Sequence, residues 1–356
     1  MILVFKILEF FLPTQASAHE AYVLPHNTFW GDLGGTTSLH AFDAWKDPHN
    51  VRLTLIIAFI ILVVLGLNYL FRESSIGQKF FSKLEEYSKL GPHLVRFTIA
   101  AALFFSAASN AFLGPELSID SFPFSGIVRI ILFTISIMVA LGFLTELAAL
   151  AGIVLFVAGF FAFGGYMFTY FNYLGELIVL LLFGMRIFSI DKYIFGPLRH
   201  LQFFEKYETA IVRVMYGFAL FYAGITVKLL HPDLTLLVVN NWHLTQFHWL
   251  FPSDPLLVTL GTGIVESLMG LFIIFGFELR LTVFISLFYI TLSLFYFKEL
   301  VWPHLLLYGI SLNILLQPEI FTIDHILFSR HRKKKSWWKR PFASHNEEGK
   351  SAIIAK

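Results

Sequence analysis

Nine apolar runs limit what this chain can become. They cover 52–71, 95–113, 125–143, 148–163, 171–188, 213–230, 256–276, 280–297 and 300–317. A helix needs about 20 residues to cross the hydrocarbon of a bilayer, and most of the runs are close to that length. The 148–163 run is a little short and is followed by Gly164-Gly165. Backbone amides in hydrocarbon must find partners within their own segment, so spans of this kind are helices. Composition agrees. Of the 356 residues, 57% are hydrophobic and 14% charged, whereas soluble domains carry about 25% charged residues. The absence of cysteine removes disulfides, thiolate metal sites and thiol nucleophiles. The sequence predicts an all-α integral membrane protein with about nine transmembrane helices, and the lipid bilayer is its first partner.

Lys and Arg set the expected orientation. One connection holds Arg72, Lys79, Lys83, Lys89 and Arg96, and another holds Arg186, Lys192, Arg199, Lys206 and Arg213. The tail carries "RHRKKKSWWKR" from Arg330 to Arg340. The opposite connections hold only Lys46, Arg52, Lys228 and Lys298. The positive-inside rule then places the C-terminus in the cytoplasm and residues 19–50 outside, in a multi-pass cell (inner) membrane protein. The basic tail, 331–356, faces anionic lipid, and nothing points to a nucleic-acid partner.

The leader, "MILVFKILEFFLPTQASA", ends in an Ala-x-Ala pattern before His19. A signal peptide over 1–18 fits that pattern, but Lys6 is late and Glu9 interrupts the apolar core. An interfacial helix that stays attached is the other reading.

An internal repeat runs through the helices. "RFTIAAALFFSAASNAFLGPEL", from Arg96, aligns without a gap with "RVMYGFALFYAGITVKLLHPDL", from Arg213, with seven identities in 22 positions. "LGFLTEL" from Leu141 matches "FGFELRL" from Phe275, and "IFSIDKYIF" from Ile187 matches "IFTIDHILF" from Ile320. Two four-helix units follow, over 95–200 and 212–330, after a first span at 51–72. Both units start from the same side, so they are parallel four-helix-bundle repeats rather than inverted ones.

The second unit's "RVMYGFALFYAGITVKLLHPDL" and "GTGIVESLMGLFIIFGFELRLTVF" resemble the DoxX family of small membrane proteins. The matching features are Gly224 with Lys228 and Leu229, then Glu266 and Gly276. The first unit departs from the pattern, with Ala111 where Lys228 stands. The resemblance covers about two thirds of the chain. It implies a membrane subunit linked to quinone-dependent respiration or thiosulfate oxidation, with quinone as cofactor and a membrane or periplasmic redox partner subunit. It does not imply one reaction, and whether the chain is itself an enzyme stays open. A non-catalytic scaffold or assembly protein of such a complex is the alternative.

Charged groups inside the bilayer are expensive and mark candidate sites. Glu266 and Lys228 lie on sequential antiparallel helices. They can close an ion pair, or Glu266 can carry protons or bind a quinone carbonyl. Arg129, Glu176 and His304 enter from the same side as these two, so all five are expected in the outer half. The pattern predicts an outward-opening polar cleft with Glu266 and Glu176 as catalytic groups and Lys228, Arg129 and His304 as cofactor-binding ones. Snorkelling explains Arg129 and Lys228 as well. His304 is also a candidate haem ligand, although a partner at its depth is not evident.

If the leader is cut after Ala18, His19 offers its amine and ring nitrogen to copper, with His26 as a further ligand. Solvated histidines are the plain alternative. Sequencing the N-terminus of protein purified from membranes, together with metal analysis, separates these readings. A chain that starts at His19 should hold about one copper; an intact Met1 removes the copper reading.

Overall fold

The computed structural model describes residues 40–183, 190–191, 206–247 and 251–327. Eleven α-helices and no strand are found among the described residues. In the first part of the chain they are α1 (Pro48–Glu73), α2 (Ser75–Glu85), α3 (Gly91–Ala108), α4 (Ser125–Leu141), α5 (Thr145–Phe163) and α6 (Phe171–Phe183). In the second part they are α7 (Glu208–Tyr222), α8 (Pro232–Asn241), α9 (Pro255–Phe275), α10 (Leu279–Phe297) and α11 (Leu305–Leu316). Six helical stretches are long and apolar enough to cross a membrane: Pro48–Glu73, Ser75–Ala108, Thr145–Phe183, Glu208–Leu229, Pro255–Phe275 and Leu279–Phe297. Ser125–Leu141 and Trp302–Leu316 are apolar but shorter. The chain is an all-α, multi-pass membrane protein.

Each of the nine runs falls on a helix, with shifted ends. The 95–113 run stops being helical at Ala108, because Asn110 turns left-handed (φ 56°) and the Ala111 amide donates back to the Ser106 carbonyl. The corresponding part of the second run stays helical as a π-helix over Ala223–Leu229. The helices on the 148–163 and 171–188 runs, α5 and α6, are joined by a 3-10 helix, Gly164–Tyr170, and pack against each other. Residues 1–18 and 331–356 lie outside the described residues.

We call the end where α3 and α7 begin proximal, and the end where they finish distal. α3 packs on α4 and α7 packs on α9. Across the middle, α6 packs on α7 and α11 packs on α3. Small residues permit this close approach, as is usual between helices in lipid. A Cβ on Gly175 of α6 would meet the Met215 Cβ of α7 at 2.7 Å, and a Cβ on Gly309 of α11 would strike the Thr98 side chain of α3.

Two aspartates close the proximal turns in the same way. α4 ends at Gly142 in the left-handed region (φ 66°), and Leu144 just before α5 is left-handed too (φ 47°). The Asp191 carboxylate accepts from the Leu144 and Thr145 amides at 2.7 and 3.0 Å, while its own amide donates to the Gly142 carbonyl at 3.0 Å. Between α9 and α10, Gly276 (φ 63°) and Glu278 (φ 45°) repeat the conformation. Asp324 accepts from the Glu278 and Leu279 amides, both at 2.9 Å, and its amide donates to the Gly276 carbonyl at 3.1 Å. A left-handed non-glycine residue costs about 1–3 kcal/mol and survives only where its surroundings fix it. A helix cap contributes about 0.5–2 kcal/mol, enough to offset much of that cost.

α1 stands away from the bundle. None of the most apolar 18 residues of α1 is buried, and Leu55, Phe59, Leu62 and Leu67 are each more than half exposed. Its two ends are tied down by polar bonds. At the distal end Asn50 Nδ2 donates to the Ala44 carbonyl and to Asp254. At the proximal end Asn68 donates to Glu278, and Arg72 pairs with Asp324 at 2.7 Å and with Glu319. Arg280 joins the same cluster, 2.6 Å from Glu85 and stacked on Phe81 with 4.8 Å to the ring centre. Two guanidinium groups face the buried carboxyls of Glu278 and Asp324 and the half-buried one of Glu319.

Arg72→Met would leave these carboxyls buried with a missing partner, so it should lower stability by about 3–5 kcal/mol, read as the melting temperature in detergent. Burial pushes the Glu319 carboxyl above its ordinary value, against the opposing pull of Arg72 and Arg280. The folded state thus favours neutral Glu319. Its contribution to stability is present below the ordinary Glu range and fades as pH climbs through the raised value. Glu319→Gln, which mimics the neutral form, should flatten that decline; equal pH slopes in variant and parent would refute this account.

Candidate functional site

The π-helix at the end of α7 turns Lys228 toward α9. Gly263 faces it there without a side chain, and a Cβ on that glycine would lie 3.2 Å from Lys228 Cβ. Lys228 Nζ reaches Glu266 Oε2 at 2.7 Å, and both side chains are 23% exposed. The ion pair expected from the sequence is therefore formed, and it lies between sequential antiparallel helices. In a low-dielectric setting such a pair chiefly avoids the cost of leaving either charge alone.

His304 lies in the 3-10 turn Trp302–His304 ahead of α11 and is buried. Its Nε2 is 2.9 Å from Glu299 Oε2, and its Nδ1 is 3.0 Å from the Leu300 carbonyl. Glu299 in turn accepts from Ser293. Both ring nitrogens are engaged, so an iron ligand would have to break one of these contacts. Arg129, in the first turns of α4, is exposed and lies over Phe133 with 6.0 Å to the ring centre, the posture of a snorkelling side chain.

Glu176 is placed differently from its expected depth. α6 begins only at Phe171, after the 3-10 helix. Gly175 packs against Met215 and Val212, which sets Glu176 level with the first turns of α7, in the proximal half. It lines a cavity of ≈ 40 Å³ together with His93, Arg96, Glu208, Val212 and Asn313. Neither Glu266 nor His304 lines this cavity. The five residues expected in one outward cleft thus separate into the Lys228–Glu266 pair, the His304–Glu299 pair, an exposed Arg129 and a proximal Glu176. His19 and His26 lie outside the described residues. Among the described residues no three His, Asp or Glu side chains gather as a metal-binding group.

Several polar groups escaped the sequence reading. Glu116, aligned with Asp233 in the repeat, accepts from Tyr166 at 3.0 Å and from Tyr170, and Tyr173 donates to the Leu113 carbonyl at 3.2 Å. The tyrosines at 166, 170 and 173 recur at helical spacing, which was the available signal. Arg96 was counted among the charges of a basic connection, and Glu208, inside the other such connection, carried no motif. Glu299 lay between two spans with no motif around it.

No known protein-family model, no functionally described protein and no solved structure matches this chain.

A double-mutant cycle tests the Lys228–Glu266 pair. Lys228→Met and Glu266→Gln should each lower the melting temperature, and the double variant should recover part of the loss, with a coupling of about 1–2 kcal/mol. Additive losses would mean that the two groups do not hold each other.

Proposed function

We propose that the chain is a DoxX-like subunit of a quinone-linked respiratory or thiosulfate-oxidising membrane complex. In this reading it holds and positions a redox partner and does not itself carry electrons. The fine topology belongs to the same proposal: nine spans, two parallel four-helix units after one extra helix, residues 19–50 outside the inner membrane and the basic tail in the cytoplasm. Support for duplication comes from the crossed packing, in which the fourth helix of each unit lies on the first helix of the other. The paired Asp191 and Asp324 caps support it as well.

The observation that carries the holding role is the closed state of the intramembrane charges. Lys228 and Glu266 hold each other, and His304 is held by Glu299. The cavity beside Glu176, at ≈ 40 Å³, has room for a few waters at roughly 10–15 Å³ each, and a quinone ring with two carbonyls does not fit. One observation favours a catalytic variant: the Lys228–Glu266 pair is 23% exposed on each side, so a headgroup could reach it from lipid.

Quinone reduction separates the two. The purified chain with thiosulfate and a soluble quinone analogue should show no turnover, while membranes lacking the chain should lose most of their quinone-linked thiosulfate oxidation. Glu266→Gln should leave the membrane rate within about twofold. Turnover by the isolated chain, abolished by Glu266→Gln, would replace the holding role with a catalytic one.

A further inference from the structure

We propose that Glu176 is a proton-binding site, filled and emptied from the proximal aqueous phase through the small cavity beside it. The Glu176 side chain is 3% exposed. Its Oε1 is fully enclosed without a hydrogen-bond partner, and among the described residues no ion pair reaches it. A carboxylate left in that state costs several kcal/mol in a low-dielectric interior. A neutral acid avoids the cost, and cavity water can take the proton it offers. One turn away on the same helix, Asn172 is also buried, at 4% exposure, with its Oδ1 lacking a partner. The polar strip on α6 therefore extends past the carboxyl itself.

Groups able to exchange that proton surround the cavity. α3 contributes His93 and Arg96, α7 contributes Glu208, and α11 contributes the uncharged Asn313. His93 is partly exposed at the proximal rim, whereas Arg96 and Glu208 are buried. Arg96 stays charged and cannot relay a proton. Glu208 and His93 can each accept the proton through one bridging water and pass it to solvent. The step moves one proton and no electrons: the Glu176 O–H breaks, a water O–H forms, and a proton leaves that water for the Glu208 carboxylate or the His93 imidazole.

The pseudo-equivalent position explains why only one such site arises. Gly175 and Gly309 occupy matching places against α7 and α3, so the residue matching Glu176 is Ile310, which is fully buried and apolar. The matching arginine, Arg213, is spent on the carbonyls of Ile273, Ile274 and Phe321. The exchange site therefore takes its central carboxyl from α6 alone, while α3, α7 and α11 complete the cavity around it. It needs no particular partner chemistry and stands whether or not the complex is quinone-linked.

Infrared difference spectroscopy of the full chain in lipid tests the assignment. A neutral carboxylic C=O band should be present near neutral pH, shift in D2O, fade as pH rises, and be missing from Glu176→Gln. Glu176→Asp should move the band without removing it, which identifies the residue even if the Gln variant folds poorly. Glu208→Gln should keep the band but slow its response to a pH jump by at least about tenfold. Wild-type and Glu176→Gln spectra that superimpose at every pH would overturn the proposal. So would a Glu176 band that never titrates, because a permanently neutral acid exchanges nothing.

Discussion

A charge or a peptide group in hydrocarbon has only the protein to bond with, and this one constraint shapes most of the molecule. It makes every span a helix, and it makes the ends of helices the places where chain segments must be fastened. Asp191 and Asp324 do that fastening at the two proximal turns, each satisfying two amides and returning its own amide to a carbonyl. The same pressure gathers Arg72, Arg280, Glu278, Glu319 and Asp324 into one cluster. That cluster gives α1, apolar on every side, a fixed attachment to the second unit.

The constraint also accounts for where the α3–α6 and α7–α11 stretches, taken as two units, differ. Their frameworks coincide at the turns and at the crossed helix contacts, because those positions answer to backbone geometry. Their polar interiors diverge, because a buried charge needs only one suitable neighbour and that neighbour can be placed anywhere. The second unit keeps its helix going as a π-helix and uses it to bring Lys228 to Glu266. The first unit breaks at Asn110 instead and spends its distal carboxyl, Glu116, on two tyrosines. Positions aligned by sequence thus end with unlike chemistry.

Much of the fold was legible in the sequence, for physical reasons. Runs of apolar residues report burial in lipid whatever their neighbours, so each run landed on a helix. The repeat matches around Leu141, Phe275, Ile187 and Ile320 marked segments that bind one another, since an aspartate cap needs both its carboxylate and the left-handed turn it closes. The Lys228–Glu266 contact was readable because the helices are adjacent in sequence. Depth was less legible. Glu176 was placed by counting from the outer end of its run, and the count failed because that end, Phe171, already packs level with Phe218 of α7, with the 3-10 helix Gly164–Tyr170 lying beyond it. Contacts between segments far apart in sequence, such as Arg72 with Glu319 or Arg280 with Glu85, leave no periodic trace in either segment.

The separation of the polar groups carries a mechanistic consequence. Paired charges such as Lys228–Glu266 resist change of state, since protonating the carboxylate strands the ammonium. They are suited to holding helices at a fixed distance. A lone buried carboxyl beside a water-sized cavity has the opposite character: its two forms differ by one proton and by little else in the structure around it. Paired charges thus lie at the distal end and in the Arg72 cluster, whereas Glu176 lies among α3, α6, α7 and α11 without an ion pair among the described residues. The cavity is lined from α3, α6, α7 and α11, so a change of charge there falls among the α6–α7 and α3–α11 contacts.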